Sequence, residues 1–223
     1  MSKVFSITFS GRFHYTKGGG VPIHRHDDDY QIQLIYGGSA KVRVNDVLYF
    51  VKNGDIMAQL YYRYSTMNAG KSIELIKVAY NYEERGKQVL TLIPAIDDRY
   101  GIGVITSRIG LQRAAMVVNE DTNILELFMR ENEKHASDCV LIDECQFLKK
   151  HHVQELAEIV DSFDVPVLAY GLKNDFKNEL FEGSYYFLVY ADKIEEIKTI
   201  CWCGRKATMV ARIQDGKIIK QGD

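Results

Sequence analysis

This sequence has no long apolar run, almost no net charge and few cysteines, and each shortage removes a class of protein. No uninterrupted apolar segment reaches the roughly 20 residues that a membrane-spanning helix needs. The opening Met1-Ser2-Lys3-Val4-Phe5 also lacks the layout of a secretory signal. The expectation is a soluble cytoplasmic protein. Formal net charge is -2 and the pI is about 6.3, so nothing global asks for a nucleic acid or an anionic membrane as partner. Four cysteines in 223 residues do not make a disulfide framework. Cys139 and Cys145 sit in or beside apolar runs, where buried thiols are common, which leaves Cys201 and Cys203 as a spaced pair. Function must rest on local sites.

The most informative of these is the stretch Ser65-Thr66-Met67-Asn68-Ala69-Gly70-Lys71-Ser72, which follows an apolar run and precedes a helical pattern. It reads as a phosphate-binding loop. In such loops backbone N–H groups and a helix N-terminus cradle phosphates, a lysine reaches the terminal phosphates and a Ser or Thr hydroxyl meets Mg²⁺. The strict motif begins with glycine, and Ser65 stands there instead.

Residues 57–192 read as an α/β domain. Met57-Ala58-Gln59-Leu60-Tyr61-Tyr62-Arg63-Tyr64 is a strand feeding the loop, and Ile73, Leu75, Ile76, Val78 and Ala79 recur at helical spacing until Gly86. Gln88 to Ile93 is a short apolar strand ending at Pro94, a helix is expected from about Thr122 to His135, and another from Lys149 to Phe163. Cys139-Val140-Leu141-Ile142 is an apolar strand that ends in Asp143-Glu144, and Val165 to Tyr170 is a further buried strand. This alternation predicts a mostly parallel sheet with helices on both faces and ligands at the strands' carboxyl ends. Acids at a strand end, beyond a Gly-Lys-Ser loop, are the arrangement that meets Mg²⁺.

Residues 1–56 read differently. Short or alternating apolar runs at Phe5 to Phe9, Gln31 to Tyr36, Ala40 to Val44 and Val47 to Val51 are split by glycines and by Asn45-Asp46, which predicts antiparallel strands. His24 and His26 would share one strand face. His24-x-His26, with Gln31 and Gly38 at their spacings, resembles the first motif of the cupin barrels. The style of the segment is similar to the ligand-sensing half of AraC-type transcription regulators. Gln31 stands where metal-binding cupins carry glutamate, and the second cupin motif is absent, so histidines hydrogen-bonded at a strand end outweigh a metal site here.

From Met57 onward, five segments in order resemble the type II, bacterial-style thymidine kinases. They are the loop 65–72, Asp97-Asp98-Arg99-Tyr100, Asp143-Glu144-Cys145-Gln146-Phe147-Leu148, Tyr170 to Phe176 with Glu179-Leu180-Phe181, and Ile200-Cys201-Trp202-Cys203-Gly204. The resemblance implies a RecA-like P-loop core, a homotetramer, and phosphoryl transfer from ATP to the 5′-hydroxyl of thymidine in nucleotide salvage. By that resemblance residues 65–72 and Asp143, Glu144, Cys145 and Gln146 bind ATP. Lys71 and Arg99 counter phosphate charge, and Ser72 and Asp143 hold Mg²⁺. Glu144 is the general base. Met67, Asp97, Phe147, Leu172, Phe176 and Phe181 are expected around the nucleoside. Cys201 and Cys203 match the first half of a structural Zn²⁺ site, which takes four ligands. No cysteine follows Cys203 and no histidine follows His152, so residues 193–223 are expected to form an incomplete zinc subdomain with a partial β hairpin, lacking the loop that closes over the base. Three readings stay open: a working thymidine kinase, a degenerate kinase that binds ATP without turnover, and a cupin-type ligand sensor.

Overall fold

The computed structural model describes residues 39–44, 47–52, 58–96, 103–201, 203–214 and 217–219. The chain divides into two compact units, Met1–Ile56 and Met57–Asp223. In the first, β1 (Ser39–Val44) and β2 (Val47–Lys52) pair antiparallel with Val44 opposite Val47, the hairpin that the alternation around Asn45-Asp46 predicts. The positions of the cupin-like pattern, His24, His26, Gln31 and Gly38, lie outside the described residues.

In the second unit β3 (Leu60–Ser65) leads through the phosphate loop into α1 (Lys71–Glu83), and β4 (Val89–Pro94) follows. Three short strands come next, β5 (Val104–Thr106), β6 (Gln112–Ala114) and β7 (Met116–Val118), then α2 (Ile124–Lys134). After them come β8 (Cys139–Ile142), a single 3₁₀ turn (Cys145–Phe147), α3 (Lys150–Phe163), β9 (Val167–Leu172), α4 (Glu182–Tyr190) and β10 (Lys193–Glu196). A hairpin of β11 (Arg212–Gln214) and β12 (Lys217–Ile219) ends the described chain.

Six strands form one sheet in the order β10-β3-β9-β8-β4-β7, every pair parallel. β9 lies between the strand that feeds the phosphate loop and the strand that ends in Asp143. This is the RecA-like order and the expected α/β class. The buried strands alternate their side chains between two cores, as a period of two requires. Val167 and Ala169, Val140 and Ile142, and Leu90 and Leu92 face α2, α3 and α4 through Phe128, Leu156, Ile159 and Phe187. Leu168 and Tyr170, Cys139 and Leu141, and Ile93 face α1 through Leu75 and Ala79. No described helix is long and apolar enough to cross a membrane.

Three parts of this unit have no counterpart in the sequence reading: the β5–β6 hairpin with β7, helix α4, and strand β10. Each is short or depends on a partner. β5 to β7 are three residues apiece, and α4 is apolar on nearly every side, so neither shows a clean period. β10 is a polar edge strand, pinned where Asp192 accepts the Leu60 N–H at 2.7 Å.

α4 approaches the 3₁₀ turn so closely that a Cβ at Gly183 would lie 2.4 Å from the Cys145 carbonyl oxygen and 2.9 Å from those of Gln146 and Leu148. Backbone cannot yield as a side-chain tip does. Gly183→Ala is expected to cost about 2–3 kcal/mol or more through overpacking. Urea unfolding checks this, and a loss under about 0.5 kcal/mol would show that the approach is not a constraint.

Candidate active site

The loop between β3 and α1 is shaped by two left-handed residues, Asn68 at φ 69° and Gly70 at φ 82°. Gly70 is the N-cap of α1 and no side chain caps that end. The first-turn N–H groups of the helix thus keep no side-chain acceptor from the cap, the condition under which a helix start takes an anion. Lys71 is buried, and its Nζ donates to Ser65 Oγ at 3.2 Å and to the Thr66 carbonyl at 3.5 Å. Ser65 Oγ in turn donates to the Thr66 carbonyl at 2.8 Å.

β8 delivers the carboxylates. Asp143 is 3% exposed and accepts a 2.6 Å hydrogen bond from Ser72 Oγ. Burial first, then the neighbouring Glu144 carboxylate, push Asp143 up to about 6, against the opposing pull of Ser72, the Glu144 N–H and Lys71. Glu144 stands at φ 49°, a left-handed backbone that non-glycine residues adopt rarely. Its Oε2 accepts from Gln146 Nε2 at 2.6 Å, and Gln146 Oε1 accepts the Leu172 N–H at 2.9 Å. One buried amide therefore ties the carboxylate after β8 to the end of β9.

These groups meet in a cavity of about 530 Å³ whose walls include Met67, Gly70, Lys71, Ser72, Asp143, Glu144, Gln146, Phe147 and Leu172. Asn68, Ala69 and Ile73 line it as well, and a further wall of Ile93, Ile96, Ile105, Thr106, Ser107 and Arg108 has no counterpart among the site residues the sequence pattern singles out. Gly103 and Gly110, both at positive φ, are the sequence signals that would have marked a hairpin there. A second cavity of about 280 Å³ shares Ile96, Gln146 and Phe147 with the first and adds Phe181, Lys149 and His152. Phe147 and Phe181 meet edge to face at 5.8 Å. His152 is buried, and its Nδ1 accepts the Lys149 N–H at 3.1 Å. Burial, helped by His151, holds the ring down at about 4, so it is neutral near pH 7.

Not every expected site residue gathers here. Ser65 and Thr66 lie behind the loop, against Lys71. Cys145 is wholly buried in the core and lines neither cavity. Phe176 also lines neither; its ring lies under Lys177 and Arg212, each 5.7 Å from the centroid. Asp97 and Arg99 fall outside the described residues. Cys201 and Cys203 stand on a tight turn in which the Cys201 N–H donates to the Arg205 carbonyl at 2.7 Å and the Gly204 N–H to the Cys201 carbonyl at 2.8 Å. Among the described residues no three His, Cys, Asp or Glu side chains converge as a metal site would require.

Comparison with known proteins places these features in context. The family model described as thymidine kinase matches residues 58–223. A thymidine kinase of Streptococcus gordonii is 59% identical over 168 residues, which is 75% of this chain and 87% of that protein. Thymidine kinases of Lactiplantibacillus plantarum and Listeria monocytogenes are each 58% identical, over 168 and 169 residues, covering 75% of this chain and 86% and 87% of theirs.

The raised Asp143 gives a signed expectation for the metal-free protein. An acid whose folded pKa lies above its ordinary value of about 3.9 adds stability that is fully present below that value and lost as pH rises through about 6. The loss amounts to about 3 kcal/mol. Urea unfolding between pH 4 and 7 should show this downward slope in the wild type, and Asp143→Asn should flatten it. Parallel pH profiles for the two proteins would mean that Asp143 ionises at an ordinary pH.

Proposed function

The chain belongs to the thymidine kinase family, which are phosphotransferases, and on that premise we propose how its cavity moves a phosphoryl group from ATP to the 5′-hydroxyl of thymidine. The observation that carries the proposal is the convergence in one cavity of the uncapped α1 start, the Ser72–Asp143 pair, and Glu144 held toward Leu172 through Gln146.

Residues 67–72 wrap the donor phosphates with backbone N–H groups, while Lys71 leaves Ser65 and the Thr66 carbonyl to meet them. The residues present suit Mg²⁺: a hydroxyl and a buried carboxylate, hard oxygen donors already 2.6 Å apart, leave the remaining positions to phosphate oxygens and water. When bound, Mg²⁺ offsets charge on the donor's phosphate oxygens. Met67, Leu172 and Phe147 flank the nucleoside, with Phe181 behind Phe147; as the family resemblance implies, Asp97 and Phe176 join them and Arg99 counters phosphate charge. Glu144 takes the proton of the 5′-hydroxyl as that oxygen attacks the γ-phosphorus in line with the leaving oxygen. The left-handed backbone and the Gln146 hydrogen bond fix the direction of the carboxylate before substrate arrives.

The same reading assigns residues 57–192 to the kinase core and 193–223 to the zinc-binding subdomain. Cys201 and Cys203 there supply two thiolates of the four ligands that a structural Zn²⁺ takes. Residues 1–56 are assigned as the cupin-like segment, and the assembly as a homotetramer.

Glu144→Gln tests the assignment of the base. Its kcat for thymidine should fall by about 10²–10⁴, while Mg²⁺–ATP affinity, measured by calorimetry, stays within a few-fold of wild type. Unchanged turnover would remove Glu144 from the proton transfer. A wild-type protein that binds ATP without phosphorylating thymidine would overturn the kinase reading itself.

A further inference from the structure

We propose that Arg108, at the tip of the β5–β6 hairpin, is a donor-binding residue that holds the triphosphate from the hairpin side of the cavity; the proposal rests on the kinase reading above. Three observations carry it. Arg108 lines the same cavity as Gly70, Lys71 and Ser72. Its side chain is exposed and makes no ion pair or hydrogen bond among the described residues. Its backbone, by contrast, is tightly held.

The turn that carries Arg108 is closed three ways. The Ser107 N–H donates to the Leu111 carbonyl at 2.7 Å, the Leu111 N–H to Ser107 Oγ at 2.9 Å, and the Gly110 N–H to the Ser107 carbonyl at 3.0 Å. Gly110 sits at φ 87°, which closes the tip where a side chain would be strained. The stem is anchored as well. Ile105 is 1% exposed in the core beside α1. Arg113 donates to Thr91 Oγ1 and Glu83 Oε1, both at 2.8 Å. So the hairpin is a rigid support, and one of its two arginines is already neutralised while the other reaches the phosphate cavity.

Charge makes that placement useful. A triphosphate stays anionic after one divalent ion is counted, and Asp143 and Glu144 add two carboxylates to the same cavity. Lys71, even with Arg99 in the role assigned to it above, leaves the balance negative. Arg108 is the other described cationic side chain on this wall, and a guanidinium can bridge two phosphate oxygens at once. It touches the donor in this assignment, not the nucleoside.

The test compares Arg108→Ala and Arg108→Lys with wild type in the full chain. A charge-assisted contact of this kind predicts about a tenfold or greater rise in the KM for ATP with alanine. Lysine should fall between alanine and wild type, the KM for thymidine should not change, and raised salt should weaken ATP binding less in the alanine variant. Thermal unfolding should be unaltered, because the side chain is exposed. Mg²⁺–AMP-PNP affinity without thymidine gives a readout independent of turnover: it should fall by the same factor. An ATP KM and AMP-PNP affinity within twofold of wild type overturn the proposal, as does a rise in thymidine KM instead. Failure of the wild type to phosphorylate thymidine counts against the kinase reading alone, and the AMP-PNP comparison still decides the role of Arg108.

Discussion

The 3₁₀ turn after β8 passes between two glycines with no room for a side chain on either. A Cβ at Gly171 would lie 2.6 Å from Cys145 Sγ and 2.7 Å from Gln146 Oε1, and one at Gly183 would press on three carbonyl oxygens. The turn fixes everything that β8 delivers. With Cys145 locked in the core and Gln146 seated against β9, the chain leaves Ile142 with only enough length to place Asp143 against Ser72 and to force Glu144 into the left-handed region. The strain at Glu144, of order 1–3 kcal/mol, is offset by the packing of the turn and by the Gln146 hydrogen bonds. Local conformation at Glu144 is thus set by close packing one and two residues further on, at Cys145 and Gln146.

A second tension lies in the phosphate loop itself, where an ammonium and a carboxylate are both buried within one cavity. Lys71 and Asp143 are each at least nine-tenths covered. The Asp143 carboxyl, raised mainly by desolvation and then by Glu144, accepts from Ser72. Lys71 is satisfied by the loop's own oxygens. Such groups are costly unless hydrogen-bonded. Both charges are therefore held in internal contacts within the cavity.

Much of this was legible in the sequence. The β3–loop–α1 order, the strand ending in Asp143-Glu144 and the helices at 124–134 and 150–163 follow from apolar runs, periodicity and Gly-Lys-Ser spacing. Those segments bury one face or two faces completely. What the sequence did not disclose depends on long-range packing. The β5–β6 hairpin has strands too short to show a period, yet it supplies one wall of the cavity. Helix α4 carries apolar residues nearly all round, so no amphipathic stripe announced it. The bridge from Glu144 through Gln146 to Leu172 depends on a hydrogen bond between residues 26 apart, Gln146 and Leu172, a pairing that only the adjacency of β8 and β9 creates. Cys145, adjacent to the acids in sequence, turns into the core because the 3₁₀ turn ends the strand's alternation and sets successive side chains about 120° apart.

Ser65 shows how far a motif departure matters once its backbone is seen. Glycine at the first position of a phosphate loop would be indispensable if that residue needed positive φ or if a Cβ met a neighbour. Ser65 is not among the described residues with positive φ; it is the last residue of β3, in register with Leu172 of β9. Its conformation is that of an ordinary strand, which any residue adopts. The left-handed positions of the loop fall instead on Asn68, a side chain that tolerates them, and on Gly70. The side chain that replaces glycine is small, 5% exposed, and gives the Lys71 ammonium an acceptor inside the loop. The substitution therefore leaves the cradle's geometry intact and adds a resting contact for the lysine, so the strict pattern fails at a position where the backbone did not require it.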